Sequence, residues 1–253
     1  MTPAAATYRW NTSAAAKAFD QAAEFIHPLY LTVQEQVIRQ LPFDKEGSFL
    51  VLDLGAGSGR LVERVLSQFP KSRAVLVDQS EPFLAIAERR LHRFGERAVL
   101  VQQRLQEEWT AELTEAPQAI VSMSAIHHLD ASEKQALFAR CHHALSADGI
   151  FLNGDEYRPE SDADYLAALK WWAAQKEIAE QRGQIPESFR PVFEAWHDRN
   201  IRRFGEPKKS GDDCLETIAA QIDYLHDAGF ARVNTTWVEK LWGVLAANKS
   251  QNE

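Results

Sequence analysis

Apolar positions divide the chain into a helical start, an alternating middle and a less regular end. In residues 13–41 they recur at helical spacing, and Pro28 should kink or break the helix there. From residue 48, short apolar runs alternate with helix-spaced stretches, which is typical of a parallel sheet connected by helices. The runs predict five buried strands, at residues 48–54, 73–78, 97–101, 119–123 and 149–153.

Capping signals mark two of the helices between these strands. Ser80 is a good N-cap for a helix that Gly95 would end. Asp130 and Glu133 have the spacing of a capping box, which predicts a helix over residues 131–145.

The regular alternation stops after the fifth strand. The remaining pattern predicts two helices within 161–204, a loop at 205–213, a helix at 214–228 and two strands at 231–238 and 241–247. The last two strands are separated by a very short turn, so they should pair antiparallel.

The predicted fold is therefore α/β, with a doubly wound, mostly parallel seven-stranded sheet that ends in an antiparallel hairpin. We expect a single domain over residues 1–253, with an N-terminal helical cap at 1–45 and a helical lid insertion at 157–210.

The strongest chemical signal is a glycine-rich turn between the first strand and its helix. Gly55, Gly57 and Gly59 would let the chain turn sharply and let a ligand approach the backbone. Asp53 could accept a hydrogen bond from a ligand ammonium, and Asp78 closes the next strand, where a carboxylate typically binds ribose hydroxyls. The pattern predicts a nucleoside site, although each feature alone could be an ordinary turn or helix start.

The sequence D-L-G-A-G-S-G at 53–59, with V-D-Q-S at 77–80, resembles the first two motifs of class I S-adenosylmethionine (SAM) dependent methyltransferases. The similarity continues through S-M-S-A-I-H-H-L at 122–129, L-S-A-D-G at 145–149 and the C-terminal strands. The resemblance implies SAM as cofactor and methyl transfer to a small-molecule acceptor by in-line displacement. It implies the cofactor-binding residues Asp53, Gly55, Ala56, Gly57, Asp78, Gln79, Arg104, Leu105 and Ser122.

The expected adenine contact departs from the family pattern. Arg104 stands where the family usually has an acidic residue after the third strand. A glutamine side chain from Gln102 or Gln103, or backbone groups around Leu105, would then have to meet the adenine.

Two histidines and two carboxylates follow strands four and five, at the sheet edge where ligands collect. His127 and His128 are candidate catalytic bases, because imidazole titrates near neutral pH. Either could instead pack against or cap the next helix. Asp155 and Glu156 could orient a polar or cationic acceptor, or could lie in a solvated loop.

Aromatic and basic residues predict how the pocket would enclose an acceptor. Tyr8, Trp10 and Tyr30 would close the pocket from the N-terminal side, and Arg199 belongs to a basic cluster that could favour an acidic acceptor. The insertion is aromatic-rich at helical spacing, which suits either a core or a lid. These aromatic residues are Trp171, Trp172, Phe189, Phe193 and Trp196.

Composition narrows the function classes. A formal net charge of −8 disfavours non-specific nucleic-acid binding. Cys141 and Cys214 form no CxxC pair, so neither a disulfide framework nor a zinc site is indicated, and no metal is expected. The N-terminus has no signal-peptide pattern and no apolar stretch approaches a membrane span, so we expect a cytoplasmic enzyme. A homodimer is a candidate assembly.

Three alternatives remain open at this point. The insertion and tail also resemble carboxy-SAM synthases of tRNA wobble modification, for which Arg199, Arg202 or Arg203 would have to face the sulfonium substituent. The chain could be a non-catalytic SAM-binding module. An NAD-dependent dehydrogenase is disfavoured by Arg60, which occupies the last position of the dinucleotide fingerprint.

Overall fold

A seven-stranded sheet forms the centre of the computed structural model, which describes residues 10–250. Its order is β3-β2-β1-β4-β5-β7-β6; the first five strands are parallel, and β7 runs antiparallel between β5 and β6. The predicted fold class is confirmed. The strands are β1 (Leu50–Leu54), β2 (Arg73–Asp78), β3 (Ala98–Gln102), β4 (Ala119–Met123), β5 (Ile150–Glu156), β6 (Arg232–Glu239) and β7 (Trp242–Asn248).

Helices cover both faces of this sheet. They are α1 (Ser13–Ile26), α2 (Tyr30–Arg39), α3 (Arg60–Gln68), α4 (Glu81–Leu91), α5 (Ala131–Ala144), α6 (Asp162–Gln181), α7 (Arg190–His197) and α8 (Ile218–Asp227). The Ser80 cap and the Asp130–Glu133 capping box are both present, as predicted. Among residues 10–250, no helix combines the length and apolarity needed to cross a membrane.

Alternate side chains of β1 enter two separate cores, because successive residues of a strand face opposite ways. Val51 belongs to the core that also contains residues of α1, α2, α3 and the insertion helices, whereas Leu52 and Leu54 belong to the core that contains residues of α5 and α8. The insertion is joined to the N-terminal helices by Trp172, whose indole N–H donates to the Ile26 carbonyl at 2.7 Å. The N-terminal helices and the insertion therefore lie on the same side of the sheet.

Several element boundaries differ from the predicted ones. The fifth strand was predicted to end at residue 153 but continues to Glu156, because residues 155 and 156 pair with Gly243 and Trp242 of β7. The interpretation of Asp155 and Glu156 as a solvated loop is therefore wrong: both are buried. The helix predicted from residue 214 starts only at Ile218, after the Thr217 cap.

Gly154 allows α2 to pack closely on β5. A Cβ atom at this position would lie 2.7 Å from Val37 Cγ2 and 2.8 Å from Val33 Cγ1. We expect Gly154→Ala to lower the free energy of unfolding by about 1–3 kcal/mol, the usual cost of overpacking a core. Urea unfolding would measure it. In the Val33→Ala, Val37→Ala background the same change should cost less, and an equal cost in both backgrounds would contradict the explanation.

Candidate active site

One large pocket opens at the carboxyl ends of β1, β2 and β4, and includes about 1200 Å3 when its open mouth is counted. Its first part is formed by residues 55–58, called here the glycine loop, with Asp78 and Gln79. Its second part, the aromatic chamber, is lined by Trp10, Phe19, Tyr30, Phe83, Trp172, Phe189, Phe193 and Trp196.

The glycine loop is held in place by backbone hydrogen bonds and by one carboxylate. The N–H groups of Gly55 and Ala56 donate to the Val77 carbonyl at 2.8 and 3.1 Å. The Gly57 N–H donates to Asp78 Oδ2 at 2.8 Å. Gly57 has φ +53°, and apart from its two chain neighbours no atom of residues 10–250 lies within 4 Å of the position that its Cβ would occupy. The loop therefore leaves open space directly against its backbone, as a ligand cradle requires.

Gly55 is needed for packing rather than for ligand space. A Cβ on Gly55 would lie 2.3 Å from the Ala125 Cβ, on the loop that follows β4. With φ +73°, this residue also has a backbone conformation that favours glycine. The two glycines thus have different roles within one motif.

Two buried carboxyl groups flank the loop. Burial, with a further contribution from Asp78, raises the pKa of Asp53 to about 8. Burial raises the pKa of Asp78 to about 6, although N–H donors of Ser80, Gly57 and Gln79 partly offset this effect. Asp53 Oδ2 is buried and has no hydrogen-bond partner in the part of the chain that the structure describes. A cationic donor would satisfy this oxygen.

The N-terminal helix is fixed beside the loop by an ion-pair network. Asp20 of α1 pairs with Arg60 at 3.1 Å and with Arg90 at 2.7 Å. Arg90 Nε also donates to the Ser58 carbonyl at 3.0 Å. Arg60, which argued against a dinucleotide, thus connects the cap to the start of α3.

Leu105 and Gln106 line the side of the pocket where the adenine was expected, and Arg104 does not. The Leu105 carbonyl already accepts from Arg140 at 3.0 Å and from Trp109 Nε1 at 3.3 Å. Sequence reasoning named Gln102 and Gln103 here and missed Gln106. No local pattern marks Gln106, because the chain turns after β3 and this turn brings residues beyond the end of the strand to the pocket.

His127 is clamped at the end of β4 by the carboxylates of β5. Its backbone N–H donates to Asp155 Oδ2 at 2.9 Å, and its Nδ1 lies 2.6 Å from Asp155 Oδ1 and 3.2 Å from Glu156 Oε2. Burial alone would lower the pKa of His127, but Glu156, Asp155 and Asp213 raise it to about 9. These carboxylates favour a positive charge at this position, and this electrostatic setting disfavours His127 as a proton acceptor at neutral pH.

Asp213 joins the two histidines from a distant loop. Asp213 Oδ1 lies 3.6 Å from His128 Nδ1 and 4.0 Å from His127 Nε2. Asn200 Nδ2 donates to Asp213 Oδ2 at 2.6 Å. Sequence reasoning placed residues 205–213 in a loop and did not single out Asp213, since only the fold brings it to the end of β4.

Lys176 is a second residue that the sequence did not reveal. It is 3% exposed and lines the pocket, with its Nζ 3.4 Å from the Trp196 ring centroid and 4.3 Å from that of Trp172. An ammonium over aromatic faces is stabilised by the ring quadrupoles. The aromatic chamber is therefore not uniformly apolar.

Most of the residues predicted for the site share one pocket lining. These are Trp10, Tyr30, Gly55, Ala56, Gly57, Asp78, Gln79, Leu105, His127, His128, Glu156 and Arg199. Asp53, Arg104, Ser122 and Asp155 do not belong to the lining. The Ser122 hydroxyl is fully buried and donates to the Leu54 carbonyl at 2.7 Å. Tyr8 lies outside the described residues.

Comparison with known proteins finds a family model that matches the central segment. Residues 51–149, which run from β1 to the start of β5, match the family model of a methyltransferase domain. This segment is therefore similar to methyltransferase domains. The malonyl-[acyl-carrier protein] O-methyltransferase of Bacillus cytotoxicus is 28% identical over 88 residues, which are 32% of this chain and 30% of that protein.

Solved structures of other proteins have a similar fold over most of this chain. An O-methyltransferase family protein from Burkholderia thailandensis has a TM-score of 0.62 at 15% identity, covering 94% of this chain and 60% of that one. Human N-acetylserotonin methyltransferase in complex with SAM has a TM-score of 0.64 at 14% identity, with 96% and 58% covered. The chain thus spans less than two thirds of the length of these relatives.

The matched family model, that of a methyltransferase domain, supports S-adenosylmethionine as the cofactor. The relatives are methyltransferases, so the comparisons do not favour the carboxy-SAM synthase alternative.

Proposed function

We propose that this chain transfers the methyl group of SAM to a small-molecule acceptor that binds in the aromatic chamber. One observation carries the proposal: the glycine loop with Asp78 and the aromatic chamber line the same pocket. A nucleoside-binding half and an enclosed second half are the two parts that a bisubstrate transfer needs.

The residues around the loop fit SAM. Asp53 Oδ2 has no hydrogen-bond partner among residues 10–250 and suits the ammonium of the methionine tail. Because Asp53 is buried and does not line the pocket, this contact requires neighbouring lining residues to shift when the tail binds. The open side of Gly57 leaves room for that tail. Asp78 and Gln79 would hold the ribose and the adenine edge. When bound, SAM supplies a methyl group that its sulfonium has already activated.

The chain's own contribution is to position the acceptor and exclude water. Rings from α1, α4 and the insertion surround the chamber, and the Trp10 ring lies stacked against Phe189 with centroids 6.3 Å apart. Holding two reactants in line can supply a large part of a rate enhancement. His127 and His128 line the same pocket as the glycine loop and the aromatic chamber, so their imidazoles could contact the acceptor.

The remaining expectations stay predictions. The free, buried cysteines Cys141 and Cys214 support a reducing, cytoplasmic location. The small-molecule class is supported by the enclosure of the chamber, and the homodimer remains to be measured.

The test uses SAM with a trideuterated methyl group and a metabolite extract. We expect the wild-type chain to transfer the label to at least one small molecule, detected by mass spectrometry, and Gly57→Val to transfer none. If the wild type binds S-adenosylhomocysteine (SAH) but labels no small molecule, the proposed transfer is wrong and the binding-module alternative gains support.

SAH affinity should depend on pH in a defined direction. Below pH 8 Asp53 is mainly protonated, and below pH 6 Asp78 is too. A ligand ammonium pairs with the carboxylate, so binding should release protons. With a pKa of about 8, the charged fraction of Asp53 rises from roughly 1% at pH 6 to roughly half at pH 8, so the affinity should tighten by about 50-fold over this range. Tyr30 faces the same carboxyl, but its pKa of about 12 keeps it neutral throughout.

Calorimetry in buffers of different ionisation enthalpy would measure both the affinity and the protons released. Asp53→Asn should remove the rise between pH 7 and pH 8. An affinity that falls or stays level with rising pH in the wild type would contradict this assignment.

A further inference from the structure

We propose that His127, His128 and Asp213, called here the histidine cluster, bind one divalent transition-metal cation. One ring nitrogen of each histidine and one carboxylate oxygen of Asp213 all lie within 4.8 Å of one another. Ligand atoms around a tetrahedral zinc ion are about 3.3 Å apart, because each bond is about 2 Å long. The observed separations of 3.6 and 4.0 Å are somewhat longer than this distance, so the side chains would have to move together when the metal binds. His128 Nδ1 also lies 3.2 Å from the Asp212 carbonyl oxygen, and coordination through this nitrogen would replace that contact.

Buried partners already orient two of the three ligands. Asp155 is fully buried, and its Oδ1 lies 2.6 Å from His127 Nδ1, which leaves His127 Nε2 toward Asp213. A carboxylate on the far nitrogen of a histidine is the usual second partner of a metal-bound imidazole. Asn200 donates to Asp213 Oδ2, so that Oδ1 is the oxygen nearer to both imidazoles.

The charge around the cluster also favours a cation. Asp155, Glu156 and Asp213 are all at most 6% exposed, and all three lie close to His127. Glu156 lines the pocket, and its Oε1 is buried without a hydrogen-bond partner among the described residues, with His27 Nδ1 3.4 Å away. One opposing cation is Arg199, whose Nη2 lies 4.0 Å from the other oxygen of Asp213.

The donor set defines the class of metal. Two imidazoles and one carboxylate suit zinc, manganese, iron or cobalt, whereas magnesium and calcium prefer oxygen ligands. All three ligands line the pocket beside the aromatic chamber. A cation held there would keep coordination positions open toward the chamber. This last step rests on the proposed function: the cation would bind an oxygen of the acceptor next to the transferred methyl group.

Metal binding can be measured without any acceptor. The purified chain would first be treated with a chelator and dialysed to remove bound metal. It would then be titrated by calorimetry with ZnCl2, with MnCl2 and, as a reference, with MgCl2. We expect one zinc or manganese ion per chain at micromolar affinity or tighter, and much weaker binding of magnesium. Asp213→Asn and His128→Gln should each weaken binding at least tenfold. Glu206→Gln, an exposed change in the same loop, should leave it unchanged.

SAH binding by each variant serves as the control for folding. If Asp213→Asn does not bind SAH, the zinc and manganese affinities of the more exposed variant His128→Gln are used to test the proposal. Absence of stoichiometric zinc or manganese binding by the wild type, or undiminished binding by both variants, would overturn the proposal. Metal binding by a wild type that does not bind SAH would support the cation site while rejecting the proposed function.

Discussion

Gly57→Val is expected to weaken SAH binding by at least about 100-fold, equivalent to about 2.8 kcal/mol. Gly57 lines the pocket, its N–H is bound by Asp78, and its Cβ position is open space. A valine would fill this space with two methyl groups and block the approach of a ligand to the backbone. Isothermal titration calorimetry on the purified variant would measure the loss.

Gly183→Val is the matched control. Gly183 also has a positive φ, +68°, and no atom of the described, non-neighbouring residues lies within 4 Å of its Cβ position. It is exposed just after α6 and does not line the pocket. Both variants therefore share the backbone strain of about 1–2 kcal/mol for a left-handed residue. If the two substitutions reduced SAH affinity equally, strain rather than lost ligand space would explain the effect.

Asp78→Ala is the second large effect, and we expect SAH affinity to fall by about 10- to 100-fold, or about 1.4–2.8 kcal/mol. The carboxylate accepts from the Gly57 and Ser80 N–H groups, both at 2.8 Å, and lines the pocket. The variant would lose the ribose acceptor and the constraint on the glycine loop together.

Calorimetry would measure the loss of SAH affinity, and thermal unfolding would measure the loss of stability that comes from the freed glycine loop. Asp148→Ala, an exposed aspartate just before β5, is the control and should change neither measurement. Full SAH affinity in Asp78→Ala would count heavily against the ribose assignment.

Much of the fold was predictable because its signals are local. The continuous apolar run of β1, the Ser80 N-cap and the Asp130–Glu133 capping box each specify an element from a few neighbouring residues. The end of β5 was not predictable in this way. Asp155 and Glu156 have polar side chains that suggest a loop, yet pairing with β7 and the imidazole of His127 compensates their burial.

The candidate site likewise has one part that local sequence patterns predict and one part that they do not. The glycine loop and Asp78 stand at fixed spacing in the sequence, so the nucleoside half could be predicted. Lys176 and Asp213 reach the pocket from the insertion and from the loop that follows it, and no local pattern marks either residue. Their positions depend on how the insertion packs against α1, for example through the Trp172–Ile26 hydrogen bond.

Packing on the N-terminal side explains why the pocket is enclosed. The Asp20 network fixes α1 beside the glycine loop, and the Ser80 hydroxyl donates to the Trp10 carbonyl at 2.9 Å. The N-terminal helical cap, the glycine loop and the aromatic chamber are thus connected. Substitutions in α1 should therefore change the affinity for both SAM and the acceptor.

The most direct test of the central claim is a crystal structure of the chain with SAH. We predict the ribose hydroxyls within hydrogen-bond distance of the Asp78 carboxylate, the ammonium at Asp53, and the sulfur facing the aromatic chamber. SAH bound elsewhere on the chain, or a pocket that stays empty at saturating SAH, would contradict the assignment.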